Sequence, residues 1–128
     1  MSNSPAIMVS YDTIIAGGDL SLGSLATQKA LADMRVAIDS NRFQPVCRKK
    51  NNDTLAKLGL TWADAKDAIY TLTEKEYRRG PFLDRDDPTS DHFWEFKKRV
   101  DGEVIYIKFK ILYQEDGRVK LVSFHIDE

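Results

Sequence analysis

Apolar and polar residues alternate almost without error in the segment GEVIYIKFKILY, residues 102–113, which predicts a β-strand with one buried face. Residues 91–100 and 118–128 alternate in the same way. Asp-Gly pairs at 101–102 and 116–117 separate the three segments, and such a pair between alternating strands is typical of a two-residue hairpin turn. The pattern therefore predicts an antiparallel β-meander in the C-terminal part of the chain.

Helical spacing dominates before the meander. Apolar residues recur three and four positions apart from Ser24 to Asn41, which predicts an amphipathic helix. Asp53 is predicted to N-cap a short helical turn that ends at Gly59, because its carboxylate can accept the free amide hydrogens of the first turn. Residues 1–23 are rich in Gly, Ser and small side chains, so we expect an irregular or flexible N-terminal extension, with AIMVSY as a candidate edge strand.

Two capping boxes follow along the chain. Thr61 with Asp64 opens one helix, and Thr73 with Glu76 opens another that stops at a Gly-Pro pair, which places Arg79 in its last turn. The apolar stripe predicted for the first of these helices consists of Trp62, Ala65, Ile69 and Leu72. Helices followed by a meander predict a single α+β domain over residues 24–128, with N-terminal helices packed on a C-terminal antiparallel sheet.

Two-residue turns fix the register of the strands, so the partners across the meander follow from the sequence. On the apolar face the predicted rows are Trp94, Phe109 and Phe124, and Phe96, Ile107 and Ile126. On the polar face they are Glu95, Lys108 and His125, and Lys97, Tyr106 and Asp127. The polar face thus gathers groups able to transfer protons or bind anions, although opposite charges on neighbouring strands are also a common decoration of a solvated sheet.

Composition excludes several kinds of site and partner. The single cysteine, Cys47, excludes an internal disulfide and fits a reducing compartment. His92, His125 and Cys47 lack metal-ligand spacing, and the aspartate-rich loop at residues 84–91 lacks the glycine and distal glutamate of a calcium loop, so we expect no metal and no cofactor.

No apolar run approaches the roughly 18 residues of a membrane helix, and the N-terminus lacks a signal-peptide pattern, which favours a cytoplasmic protein without a membrane partner. The net charge of -1 does not indicate nucleic-acid binding unless basic groups cluster on one face.

Four segments between residues 58 and 124 resemble the MqsR (motility quorum-sensing regulator) family of toxins from bacterial type II toxin-antitoxin systems. They are LGLTWADAKDAIYTLTEKEYRR, DHFWEFKKR, GEVIYIKFKI and LVSF, and they occur in the order and with the gaps of that family. The resemblance implies a RelE-like α+β fold and a metal-independent endoribonuclease that cleaves single-stranded mRNA and inhibits growth. It also implies a cognate antitoxin protein as the partner that neutralises the toxin.

The resemblance assigns candidate catalytic residues one position at a time. They are Arg79, Glu95, Tyr106, Lys108 and His125. Glu95 stands where the family is expected to have glutamine, and His125 stands where it is expected to have lysine. Further candidates for contacts with the RNA backbone are Lys97 and Lys110, on the same face of the predicted sheet, and the basic triplet Arg48 to Lys50 in the connector before it.

Cleavage of RNA without a metal needs a base for the 2′-hydroxyl, cations for the developing phosphorane and an acid for the leaving 5′-oxygen. Glu95 and His125 are candidates for base and acid in either order, while Arg79 and Lys108 are expected to hold the phosphate. Tyr106 would orient the phosphate or stack on a base. In the competing interpretation, Arg79 only offsets a helix dipole, and the face belongs to a noncatalytic protein- or RNA-binding regulator on the same fold.

Overall fold

The computed structural model describes the backbone from Gly18 to Glu128 and the side chains from Leu25 onward. The helices are α1 (Gly18–Asp39), α2 (Lys49–Leu58) and α3 (Trp62–Tyr70), with a 3₁₀ turn at Glu74–Glu76, and the strands are β1 (Phe43–Pro45), β2 (Tyr77–Phe82), β3 (Phe93–Val100), β4 (Glu103–Ile111) and β5 (Val119–Ile126). The strands form one mixed sheet in the order β1-β5-β4-β3-β2, in which only β1 is parallel to its neighbour among the described strands. The α+β class and the antiparallel β3-β4-β5 meander are therefore confirmed.

The first helix begins earlier than its apolar pattern predicts. It starts at Gly18 rather than at Ser24, so residues 18–23 are helical and not an irregular extension. The candidate strand AIMVSY lies outside the described residues. Among the helices described from Gly18 on, none combines the length and the apolar character needed to cross a bilayer.

One face of the sheet carries the core. The register of β3 and β4 is the predicted one, and Trp94 opposite Phe109 and Phe96 opposite Ile107 are buried side chains. The rings of Phe96 and Phe109 stack with centroids 5.5 Å apart. Helices α1 and α3 cover this face through their apolar stripes, whose fully or nearly fully buried members are Ala30, Leu31, Met34, Ala37, Ala65 and Ile69.

The register between β4 and β5 differs from the predicted one by about two residues. Phe124 lies opposite Ile107 and not Phe109, and His125 lies opposite Tyr106 and not Lys108. The reason is that residues 112–118 form a longer connection, in which the Leu112 carbonyl accepts the amide hydrogen of Gly117, and that a bulge follows Lys108 in the ladder. A shift of two residues preserves the face of each side chain, so the core prediction survives while the polar rows change partners.

Arg79 lies on a strand, which corrects its predicted place in the last turn of a helix. The capping box of Thr73 and Glu76 is present, but it opens only a 3₁₀ turn, after which the chain extends into β2. Pairing with β3 overrides the local helix signal here, because the Tyr77 ring packs edge-on against Trp94 at 6.2 Å and draws the segment onto the sheet. The capping box of Thr61 and the apolar stripe that follows it are confirmed.

Helix α2 begins at Lys49 and covers part of the edge of β5. Asp53 is therefore not an N-cap, since it lies within the helix and pairs with Lys49 at 2.7 Å, whereas Gly59 ends the helix in the left-handed conformation as predicted. The buried Asn51 side chain donates to the Val122 carbonyl and accepts from the Phe124 amide. The Thr54 hydroxyl accepts from the next free amide, that of Ile126 at 3.0 Å. These bonds satisfy the strand edge beyond the end of β1 and fix α2 beside the last residues of β5.

Candidate functional site

The sheet face opposite the core, called the outer face here, carries a row of four polar residues on four strands. Arg79 of β2 lies opposite Glu95 of β3, Glu95 opposite Lys108 of β4, and Lys108 opposite Ser123 of β5. Arg48, which immediately precedes α2, extends the row, since its guanidinium donates to the Ser123 hydroxyl at 3.3 Å. The predicted neighbours Glu95 and Lys108 are thus confirmed, and the strand position of Arg79 adds it to the same row.

Arg79, Glu95 and Lys108 of this row form part of the floor of an open groove of about 670 Å³. The residues just before α2 line the groove, and so does the β2–β3 loop (residues 83–92), which reaches across to the end of β4. Six basic side chains and three acidic ones line it: Arg48, Arg79, Arg85, Lys108, Lys110 and Lys120, with Asp84, Asp86 and Glu95. The chain has a net charge near zero, so this clustering gives the groove a positive character that composition conceals.

Aromatic rings hold three of these cations. The Arg79 guanidinium lies 3.8 Å from the centroid of the Phe82 ring, and the Lys108 ammonium lies 4.7 Å from that of Phe93. Lys110 contacts the same Phe93 ring at 4.6 Å. Because the cation–π attraction leaves their N–H donors available, Arg79 and Lys108 can still bind an anion. Among the side chains that the structure describes, neither forms an ion pair.

Lys108 and Lys110 differ in their partners although both point to the outer face. Burial and the nearby Arg48 charge lower the pKa of Lys108, so its ammonium is a stronger acid than that of an ordinary lysine. The Lys110 ammonium is buried and binds the Asp84 carboxylate and the Ser90 hydroxyl, both at 3.1 Å. Hydrogen bonding from Lys110 lowers the pKa of Asp84. Lys110 therefore anchors the β2–β3 loop, and its predicted contact with RNA would require that anchor to open.

Glu95 is held by Tyr106 of the neighbouring row. The Tyr106 hydroxyl donates to Oε2 of Glu95 at 2.6 Å, and burial together with this carboxylate raises the pKa of Tyr106. Tyr106 therefore stays protonated and acts as a donor throughout the neutral range. The Glu95 side chain lines the groove, and its other carboxylate oxygen, Oε1, has no hydrogen-bond partner among the described residues. Glu95 is thus oriented by one oxygen and open to a ligand through the other.

His125 lies outside the groove, which corrects its predicted place beside Lys108. It lies opposite Tyr106, and the two rings are 5.2 Å apart between centroids with a tilt of 35°. Its Nδ1 lies 3.1 Å from the Ile126 carbonyl oxygen, which can only accept, so a hydrogen bond between them requires the proton on Nδ1. The ring lines a separate cavity against α2.

Lys97 lies opposite Tyr106 as predicted, but its ammonium pairs with Asp127 at 3.0 Å. Both side chains are about one-third exposed, so exchanging this ion pair for a phosphate costs little free energy. Lys97 therefore stays a candidate for RNA contact at the far end of the face from the β2–β3 loop.

The sequence did not identify the aromatic rings that contact the groove cations, or the residues that line the sides of the groove. Phe93 shares the outer face with Glu95 by simple alternation, so the period of two could have identified it as a ring among cations. Arg85 and Lys120 gave no such signal, because their place in the groove depends on the path of the β2–β3 loop and on the β5 register. Within residues 25–128, no three His, Cys, Asp or Glu side chains lie together as a metal-binding group.

A comparison with known protein families and with curated protein sequences finds no match to this chain. The similarity to MqsR toxins consequently stays a prediction from the four quoted segments. The features of the chain that bear on its function are the groove and the row from Arg79 to Ser123.

Proposed function

We propose that this protein is an endoribonuclease toxin of the MqsR type, with a RelE-like fold, that cleaves single-stranded mRNA and is neutralised by a cognate antitoxin. The observation that carries the proposal is the row on the groove floor, where a carboxylate with one free oxygen lies between Arg79 and Lys108. A base flanked by two cations that lack ion pairs among the described residues suits an attack within an anionic phosphodiester.

Glu95 is the proposed base. Its free Oε1 accepts the proton of the RNA 2′-hydroxyl, the O2′–P bond forms, and Tyr106 keeps the carboxylate in place through Oε2. Arg79 and Arg48 bind the non-bridging oxygens, for which the planar guanidinium is suited because it donates two parallel hydrogen bonds to phosphate. Their charges stabilise the phosphorane as its second negative charge develops.

Lys108 is the proposed acid. It lies directly across from Glu95, and its lowered pKa makes its ammonium a better proton donor than an ordinary surface lysine. As the P–O5′ bond breaks, Lys108 donates a proton to the leaving oxygen, so the products are a 2′,3′-cyclic phosphate and a 5′-hydroxyl. Water returns the proton from Glu95 to Lys108 and restores both groups. His125 has no part in this step because it lies beyond Tyr106.

The test is incubation of purified protein with single-stranded RNA in EDTA, followed by analysis of the 3′ ends. Wild-type protein should produce 2′,3′-cyclic phosphates. Glu95→Gln keeps an acceptor for Tyr106 but removes the base, and Lys108→Arg keeps the charge but removes the acid, so each should reduce the cleavage rate by about 10²-fold or more. Lys66→Gln, on α3 and away from the groove, is the matched control and should cleave normally.

The cellular part of the proposal predicts growth arrest when the wild-type chain is expressed and relief when the antitoxin is co-expressed. Full cleavage by Glu95→Gln or Lys108→Arg would refute the assigned roles. RNA binding by wild-type protein without any cleavage would instead identify a noncatalytic RNA-binding regulator, the competing interpretation of the same face.

A further inference from the structure

A second cavity, called the α2 cavity here, lies where α2 meets the end of β5. Its volume is about 220 Å³, and it is lined by Lys50, Asp53, Thr54, Lys57, His125, Ile126 and Glu128. Lys50 and Lys57 are two helical turns apart, so they lie on the same face of α2. The hydrogen bonds of Asn51 and Thr54 to β5 fix that face relative to the strand. The placement of the two lysines beside His125 therefore follows from buried contacts.

Two lysines of the α2 cavity are available to bind an anion. Asp53 already pairs with Lys49 at 2.7 Å, which offsets its charge. Lys50 and Lys57 form no ion pair with any side chain that the structure describes. The His125 ring lies beside these two lysines in the lining. The lining also holds two acidic side chains, Asp53, which pairs with Lys49, and the exposed Glu128.

The rings of Tyr106 and His125 lie between the groove and the α2 cavity. The Tyr106 hydroxyl reaches Glu95 in the groove, and the Tyr106 ring lies 5.2 Å from the His125 ring that lines the cavity. The two residue rows of the outer face are about 7 Å apart, since they are two residues apart along each strand. Both rings are partly exposed, so a nucleobase can stack on them.

We propose that a single RNA strand runs from the groove across the Tyr106–His125 ring pair, and that Lys50 and Lys57 in the α2 cavity bind a second phosphate. This inference rests on the proposed function and deepens it, because it defines the substrate as a single strand longer than the dinucleotide that is cleaved. It also gives His125 a binding role at the site next to the reaction.

The experiment measures binding of 2′-O-methyl oligonucleotides, which lack the attacking hydroxyl and cannot be cleaved, by fluorescence anisotropy at several salt concentrations. The double variant Lys50→Gln/Lys57→Gln should bind an octamer several-fold more weakly than wild-type protein. Its salt slope should fall in magnitude by about 0.7, the contribution of one phosphate contact in a single strand. Binding of a dinucleotide should be unchanged, because it does not reach the α2 cavity.

The control is Lys66→Gln/Lys75→Gln, which removes the same charge outside both cavities and should bind like wild-type protein. If wild-type protein cleaves RNA but the two double variants bind the octamer equally well, the second phosphate site is refuted and the proposed function stands. If wild-type protein neither binds the oligonucleotides nor cleaves RNA, both proposals are refuted. A loss of dinucleotide binding in Lys50→Gln/Lys57→Gln would also refute the site, since it would indicate a general rather than a local effect.

Discussion

At Lys108 the proposed chemistry requires a partly buried charge that lowers the stability of the fold. Its ammonium is partly buried over the Phe93 ring, and the Arg48 charge acts on it from the same groove. Burial of a cation without an ion pair costs free energy, which is why the pKa of Lys108 is lowered. A substitution that removes this charge should therefore stabilise the fold while it removes a group that the proposed reaction needs.

We expect Lys108→Met to raise the free energy of unfolding at pH 7 by about 0.5 kcal/mol, a small value because the site is partly exposed to water. The folded-state pKa of Lys108 is below the ordinary 10.5, so the unfolded chain binds more protons between the two values and the wild-type stability rises with pH there. The advantage of Lys108→Met should therefore shrink as the pH rises toward 10.5. Urea denaturation at pH 7 and pH 10 measures it, and Lys66→Met is the control.

At the scale of elements, a largely buried ion pair holds the β2–β3 loop in place. The Lys110 side chain is 6% exposed and the Asp84 side chain 18%, so their pairing at 3.1 Å is largely sheltered from water. Gln114 adds a second attachment, since its side-chain amide donates to the Thr89 carbonyl at 3.0 Å. Together these bonds hold the loop that forms one side of the groove.

Asp84→Asn should destabilise the protein by about 2 kcal/mol, because it leaves the buried Lys110 ammonium without its carboxylate. In contrast, Lys110→Met should be nearly neutral, since it removes the buried charge itself. The pKa of Asp84 is lowered from 3.8, so this stabilisation is complete above that pH and should be lost from wild-type protein as the pH falls below it. Urea denaturation of both variants and of the double variant gives the coupling free energy. Equal losses in the two single variants would contradict this account.

The edge strand β2 depends on Gly80 for its approach to β3. At Gly80 φ is +133°, and a Cβ there would lie 2.9 Å from the Phe93 carbonyl oxygen and 3.0 Å from the Trp94 Cα. Backbone cannot yield to such a contact as a flexible side chain can, so β2 would have to move and Arg79 would move with it.

Gly80→Ala should therefore cost about 2 kcal/mol or more and reduce RNA cleavage. Gly59→Ala is the matched control, because φ there is also positive, at +67°, but the space for a Cβ is open. It should cost about 1 kcal/mol and leave the cleavage rate unchanged. Thermal unfolding and the RNA assay measure both variants, and equal effects on cleavage would contradict the link between Gly80 and Arg79.

At the scale of the whole molecule, the parts that the sequence predicts are those decided by local chemistry. Asp101 and Gly102 both have positive φ, as a two-residue turn requires, and the β3–β4 register follows from them. The capping box at Thr61 and the left-handed Gly59 are local in the same sense. Each depends on a few neighbouring residues, so no knowledge of the fold is needed.

The parts that could not be predicted depend on contacts between distant segments. Arg79 joins the site only because β2 pairs with β3, and Arg48 joins it only because Asn51 attaches α2 to β5. The bulge after Lys108 and the long connection before β5 moved His125 from the predicted row to the next one. Half of the candidate site, namely Glu95, Tyr106 and Lys108, could thus be predicted from the local sequence.

Net charge is a poor guide to RNA binding by this molecule, because basic side chains outnumber acidic ones in the groove. The groove holds six basic side chains in a chain whose net charge is -1, so RNA affinity should depend on position rather than on total charge. Arg79→Gln/Lys120→Gln should bind single-stranded RNA at least tenfold more weakly than wild-type protein, with a salt slope smaller by about 1.4. Lys66→Gln/Lys75→Gln changes the net charge equally but lies outside the groove, so its affinity should be unchanged. Anisotropy titrations from low to moderate salt distinguish the two, and an equal loss in both variants would mean that the groove is not the RNA-binding surface.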